Sequence, residues 1–166
     1  MKVDVIAEED TELVEKLKRL GFERIFFLRK GRLFEQGCAE SAGLNVYNGA
    51  DYTFTIQKGR ADVITDLERN NFLLDKGLCS KLKENKMLVL FKFRSLIESE
   101  DLFRCYKNMV INGKLCNDYS VSALYCSFSR GAEDIKSPTQ LVAFAAQFGY
   151  NYENYSKAAA AVAEKY

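Results

Sequence analysis

Eight basic side chains stand at or just after segments of strand-like composition, and cations in such places can hold phosphates. Arg29, Lys30 and Arg32 follow the second segment, Lys58 and Arg60 the third, and Arg130 the sixth, while Lys92 and Arg94 lie within and just after the fifth. If these segments are parallel strands of one α/β sheet, their C-terminal ends share a rim where cations distant in sequence can screen several phosphates at once. Singly, each is what a solvated loop supplies; their common position is what points to an anion-binding rim. Glu8 and Glu9 follow the first strand and Asp66 and Glu68 the fourth, so the rim carries both signs.

Those carboxylates, with Asp4 and Asp62, are the groups from which a Mg²⁺ site would be assembled, because hard cations take oxygen ligands. No recognisable ligand spacing supports one, and a strand-borne aspartate serves more often as a cap or an ion-pair partner. Histidine is absent from the 166 residues. That removes Ser-His and Cys-His nucleophile pairs, an imidazole general base and His-containing metal clusters. Five cysteines, Cys38, Cys79, Cys105, Cys116 and Cys126, include no C-x-x-C pair, as suits thiols in a reducing compartment rather than a zinc site. Neither G-x-G-x-x-G nor a Walker A pattern occurs, which disfavours a dinucleotide or ATP enzyme. Tyr47, Tyr52, Tyr119, Tyr125, Tyr150, Tyr152 and Tyr155 have the chemistry to stack on bases. Without the basic-aromatic interleaving of an RRM they are expected in the core. One segment is more specific: Ser127-Phe128-Ser129-Arg130-Gly131-Ala132, then Lys136-Ser137-Pro138, sets small residues, an arginine and a helix N-terminus after a strand, a common way of holding an anion.

The elements that must position these residues have a βα rhythm. Val3–Ile6 is a short strand, Asp10 caps a helix bearing Leu13, Val14, Leu17 and Leu20, and Arg24–Leu28 is a strand covered on both sides. Between Gly31 and Gly59 the pattern suggests a short helix at 33–38 and strands at 44–47 and 52–56. Beyond it, strands at 61–65, 87–93 and 121–126 alternate with helices at 76–84 and 98–117. The second of these places Leu102, Tyr106, Met109, Val110 and Cys116 on one face, with Gly113 loosening its last turns. Ser137-Pro138 starts a helix that stops at Gly149, and an alanine-rich helix closes the chain. Counted conservatively, six strands alternating with helices imply a largely parallel sheet, either doubly wound or a reduced barrel.

With 48% apolar residues, a lone proline and dispersed glycines, residues 1–166 are expected to form a single α/β domain. The start lacks a charged region followed by an apolar signal core, and no stretch approaches the roughly 20 apolar residues that span a bilayer, so a soluble cytoplasmic protein without membrane contact is expected. Net charge is +1, with 10 basic and 12 acidic side chains in residues 1–66 against 14 and 11 afterwards, so the chain does not coat nucleic acid by bulk charge.

The last hundred residues resemble the barrel-forming subunit of archaeal and eukaryotic ribonuclease P (ribonuclease P protein component 3), a relative of the polymerase and histidinol phosphatase phosphoesterases. The resemblance rests on the order and spacing of Asp62-Val63-Ile64, Asp75-Lys76-Gly77-Leu78, Leu90-Phe91-Lys92-Phe93-Arg94, the helix ending near Lys114-Leu115-Cys116, Ser129-Arg130-Gly131-Ala132, Lys136-Ser137-Pro138, and the helix from Leu141 to Gly149. It implies an incomplete TIM-like (β/α) barrel of about six to seven mostly parallel strands, without the phosphoesterase metal ligands. It further implies a protein that is not itself catalytic and binds no cofactor. Its partners would be a small RRM-like subunit, other ribonuclease P proteins and the ribonuclease P RNA, whose own Mg²⁺ performs the cleavage, with precursor tRNA met indirectly. The chain departs from the family in being shorter between the second and fourth strands, in having Lys136 where an arginine is usual, and in the Arg130 that interrupts the small-residue turn. The expected RNA-binding residues are Arg94, Arg130, Lys92, Lys136, Arg60 and Lys58, and the rival readings are a carboxylate-metal phosphoesterase and a scaffold that touches no RNA.

Overall fold

Aspartate opens four of the helices in the computed structural model of the chain. The structure describes residues 1–7, 10–37, 43–131, 133–150 and 152–164, without the side chains of 152, 155 and 162–164. The elements run β1 (Val3–Ile6), α1 (Thr11–Arg19), β2 (Arg24–Arg29), β3 (Arg32–Glu35), β4 (Leu44–Tyr47), α2 (Tyr52–Lys58), β5 (Val63–Thr65), α3 (Lys76–Glu84), β6 (Leu88–Lys92), α4 (Phe93–Ile97), α5 (Leu102–Asp118), β7 (Ala123–Cys126), α6 (Pro138–Ala146) and α7 (Tyr152–Glu164). The carboxylates of Asp10, Asp51, Asp75 and Asp101 accept from the backbone N–H three residues on, and Ser137 does the same within a capping box completed by Gln140. Each satisfies a donor that has no partner inside its helix.

The strands form one seven-stranded sheet in chain order, with β1–β2 and β4 through β7 parallel and β3 antiparallel to both its neighbours. Backbone bonds just beyond β7 bring the sheet round on itself. Phe128 N–H donates to Val5 O at 2.9 Å and Ala7 N–H to Ser129 O at 3.0 Å, giving a nearly closed, mostly parallel TIM-like barrel. Alternation splits the core into two layers. Val63, Leu88, Leu90, Leu124 and Cys126 pack with Val3, Val5, Phe26 and Leu33 in one cluster, whereas Ile64, Val89, Phe91, Ala123 and Tyr125 meet α3, α5 and α6 in the other.

Two expected elements are corrected. Residues 32–35 are strand rather than helix, because Lys30 (φ 49°) and Gly31 (φ 72°) both take positive φ and make a two-residue hairpin between Arg29 and Arg32; Cys38, the end of the expected helix, lies outside the described residues. Residues 52–58 are helix rather than strand, although Tyr-Thr-Phe-Thr-Ile has strand composition. The Asp51 cap and the left-handed Gly59 bound a short helix that buries Tyr52, Thr55 and Ile56, and that tertiary burial overrides propensity.

The inward face of α5 also differs from its expected apolar stripe. Cys105, Asn108, Met109, Asn112, Gly113 and Cys116 are buried, and Leu102 and Tyr106 are exposed. Two asparagines replace apolar residues because each ties the helix to residues 68–74. Asn108 donates to Glu68 O at 3.3 Å and to Asn71 Oδ1 at 3.0 Å; Asn112 accepts from Leu74 N–H and donates to Phe72 O, both at 2.8 Å. Gly113 does not loosen the helix, which runs on to Asp118; a Cβ there would collide with the Tyr125 hydroxyl and lie 3.0 Å from Phe148 Cβ. Gly113→Ala is therefore expected to destabilise the chain by about 1–3 kcal/mol through overpacking, despite alanine's helix preference of roughly 1 kcal/mol. Urea denaturation measures the loss, and adding Tyr125→Phe should recover part of it, since that buried hydroxyl has no hydrogen-bond partner among the described residues.

Candidate functional site

The C-terminal ends of β1, β5, β6 and β7 bring together a set of buried polar side chains, the position where barrel chemistry is usually built. Asp4, fully buried on β1, accepts from its neighbour Val5 N–H and from Ser127 N–H, each at 2.8 Å, and from the Ser127 hydroxyl; Ser129 Oγ in turn donates to Ser127 Oγ at 2.8 Å. Burial pushes the Asp4 carboxyl up to about 7, against these hydrogen bonds, which favour the charged form. The segment whose composition suggests an anion cradle thus has Ser127 committed to the chain's own carboxylate, and the start of α6 is closed by its own capping box.

Beside this seam, the Lys92 ammonium lies 2.6 and 2.7 Å from the two Asp66 oxygens and 4.3 Å from the Phe128 ring centroid, with only 8% of its side chain exposed. Glu68 is 1% exposed, and neither carboxylate oxygen has a well-formed hydrogen bond among the described residues. Burial, reinforced by the nearby Asp66 charge, pushes it up to about 7. Among the described residues the thiols are poor nucleophiles: burial pushes Cys79 and Cys105 up to about 11 and holds Cys116 and Cys126 well above the usual range, and Cys38 lies outside the described residues.

Outside the buried groups lies a cluster of cations. Three consecutive strands, β5, β6 and β7, are each followed by an arginine that reaches Glu98. Arg94 Nε donates to Glu98 Oε1 at 2.5 Å, Arg130 Nη1 lies 3.3 Å from the same oxygen, and Arg69 Nη1 lies 3.4 Å from Oε2. Arg94 also pairs with Asp134. The Arg94 hydrogen bond, aided by the Arg130 and Arg69 charges, holds Glu98 below the ordinary carboxylate range. Lys136 sits over the Phe93 ring at 4.9 Å. Arg69 and Glu98 are not among the expected site residues, yet Arg69 obeys the same rule as the others, standing four residues past the end of β5.

The structure therefore gathers Arg94, Arg130 and Lys136, with Arg69, near one stretch of the rim, and places Lys92 beneath them in a buried ion pair. Lys58 and Arg60 stand apart: with 52–58 helical, they precede β5 and sit at the opposite end of the barrel, where Arg60 covers the Phe54 ring at 4.5 Å. Arg29 and Lys30 are exposed at the β2–β3 hairpin, and Arg32 donates to Gly43 O. The acidic candidates are likewise divided, since Asp62 precedes β5 and accepts from Asn45 N–H at 2.9 Å while Asp66 and Glu68 come after that strand; Glu8 and Glu9 lie outside the described residues. Among the described residues no group of three or more Asp, Glu, Cys or His is placed to share a metal ion.

Neither a protein-family model nor a curated protein matches the sequence. Among solved structures, the chain resembles one chain of a structure described as a cryo-EM structure of archaeal ribonuclease P with mature tRNA. The TM-score is 0.72 at 14% identity, covering 99% of this chain and 89% of that one. The similarity establishes a shared barrel fold. No helix among the described residues is long and apolar enough to cross a membrane.

The buried charges lead to two expected outcomes. Lys92→Ala strands Asp66 without its partner and is expected to cost about 3–5 kcal/mol, whereas Arg130→Ala, at a side chain 59% exposed, should leave the urea midpoint nearly unchanged. Glu68 has an ordinary value of 4.5 and a folded value near 7, so its contribution to stability is complete below the first and is lost as pH rises through the second. Glu68→Gln should flatten that part of the stability-pH profile and raise stability on its alkaline side by about 1–3 kcal/mol. An unaltered profile would show that Glu68 titrates normally.

Proposed function

We propose that this chain is a protein subunit of ribonuclease P that supports RNA-catalysed 5′ maturation of precursor tRNA by holding the catalytic RNA in place. The supporting observation is the convergence of Arg69, Arg94, Arg130 and Lys136 at adjacent strand ends of a barrel whose fold resembles a chain in an archaeal ribonuclease P structure with mature tRNA. Guanidinium groups suit phosphodiesters because their donors form a planar fork, and each one that neutralises a phosphate releases counterions. In this reading the RNA performs hydrolysis with its own Mg²⁺ and the protein lowers phosphate repulsion. Lys92 acts indirectly, by neutralising Asp66 beneath the rim, while Lys58 and Arg60 offer a separate cationic spot at the far end. The partners in this proposal are the ribonuclease P RNA, a small RRM-like subunit and other ribonuclease P proteins, in the cytoplasm.

The experiment is reconstitution. Arg94→Ala with Arg130→Ala should reduce precursor-tRNA cleavage by about tenfold or more at low Mg²⁺, each lost phosphate contact costing roughly 1 kcal/mol, with partial rescue at high Mg²⁺. Unchanged cleavage at low Mg²⁺ would exclude the arginines from RNA contact.

A further inference from the structure

Four large apolar side chains stand exposed beside the arginine cluster: Ile97 (59%), Leu102 (57%), Phe103 (78%) and Tyr106 (40%). Ile97 ends α4, and the other three are exposed because α5 turns Asn108 and Asn112 inward, which leaves Leu102, Phe103 and Tyr106 away from the core. Phe103 and Tyr106 lie three residues apart on neighbouring turns, and Tyr106 is braced by Phe148, whose ring centroid is 5.6 Å from its own. Arg104 and Lys107 are interleaved with them and exposed, Lys114 comes later on the helix, and α5 carries no acidic residue before Asp118. At the N-terminal edge Asp101 is engaged by the helix cap and lies 3.6 Å from Arg104. Ile97 adjoins Glu98, the carboxylate shared by Arg69, Arg94 and Arg130.

Rings with open faces beside cations are what an unstacked nucleotide requires, since the base covers the ring while its phosphate meets the charge. A duplex offers a free base face only at its two ends, so along its length it would use the cations alone. We infer that the outer face of the first two turns of α5, Phe103 and Tyr106 with Arg104 and Lys107, is a stacking platform for unpaired nucleotides of RNA. This rests on the RNA-binding reading above and narrows it, from phosphate screening in general to a loop or single-stranded junction laid across α5 with its phosphates leading to Glu98 and the three arginines. The cations alone would attract an acidic protein surface as well; the open ring faces of Phe103 and Tyr106 favour RNA, whose bases can cover them, and Ile97 and Leu102 extend the apolar floor.

The test uses fluorescence anisotropy of the full chain with a labelled, unstructured mixed-sequence oligoribonucleotide and a blunt RNA duplex of the same length. Wild type should bind the single strand more tightly. Phe103→Ala should weaken single-strand binding about tenfold while leaving duplex binding and the salt slope unchanged, with Tyr106→Ala acting in the same direction and Phe103→Trp restoring the affinity. Arg130→Ala should weaken both RNAs and reduce the salt slope by about one. If Phe103→Ala leaves the single strand unaffected, or weakens both RNAs alike, the platform is overturned; a persisting Arg130 effect then keeps the phosphate reading. If wild type binds neither RNA, both readings fall. Thermal melts of each variant separate lost contacts from lost folding.

Discussion

The barrel is held shut by one buried carboxylate. Asp4 sits in the first strand and takes both the N–H and the hydroxyl of Ser127, just past the last strand, across 123 residues of sequence. The backbone bonds between Val5 and Phe128 and between Ala7 and Ser129 flank this contact, so the carboxylate lies at the seam where the sheet meets itself. A charge with no water around it is costly, so burial pushes this carboxyl up to about 7 even though three donors converging on it favour the charged form. The placement of Arg130 depends on that closure, because the segment 127–129 that leads to it is the one tied to β1.

Internal pairing also governs the mouth of the barrel. Lys92 would add a fifth cation to the rim if it were solvated, but Asp66 draws it inward and the Phe128 ring covers it. Its charge serves stability, and the outward field comes from groups placed farther beyond the strand ends. The mouth therefore has a buried layer, with the Lys92–Asp66 pair beside Asp4 and Glu68, and above it arginines that share Glu98.

Legibility in the sequence tracks how local each signal is. The caps at Asp10, Asp75 and Ser137, the apolar strands at 63–65, 88–92 and 123–126, and the helix at 76–84 are readable because a few neighbouring residues decide them. Residues 32–35 and 52–58 escape such a reading because the deciding factors, two positive φ angles and a buried helical face, are not carried by composition. The inward asparagines of α5 are invisible for a related reason, since Asn108 and Asn112 are core residues only by virtue of the backbone groups of 68–74 that they satisfy. At the site, the expectation that functional groups stand just past strand ends locates Arg94 and Arg130. It puts Lys58 and Arg60 at the wrong end, because the element before them is a helix, and it stops short of Arg69.

Glu98 has an effect that reaches beyond its own ion pairs. A carboxylate shared by three guanidinium groups removes much of the rotamer freedom that long, flexible arginine side chains would otherwise have in solvent. On the proposed reading, an incoming anion would meet donors that are already oriented, and less ordering entropy would be left to lose on association. The same carboxylate occupies the centre of the cluster, so a newcomer must approach from outside it or compete for it. Glu98 is at once the template of the cluster and its resident rival.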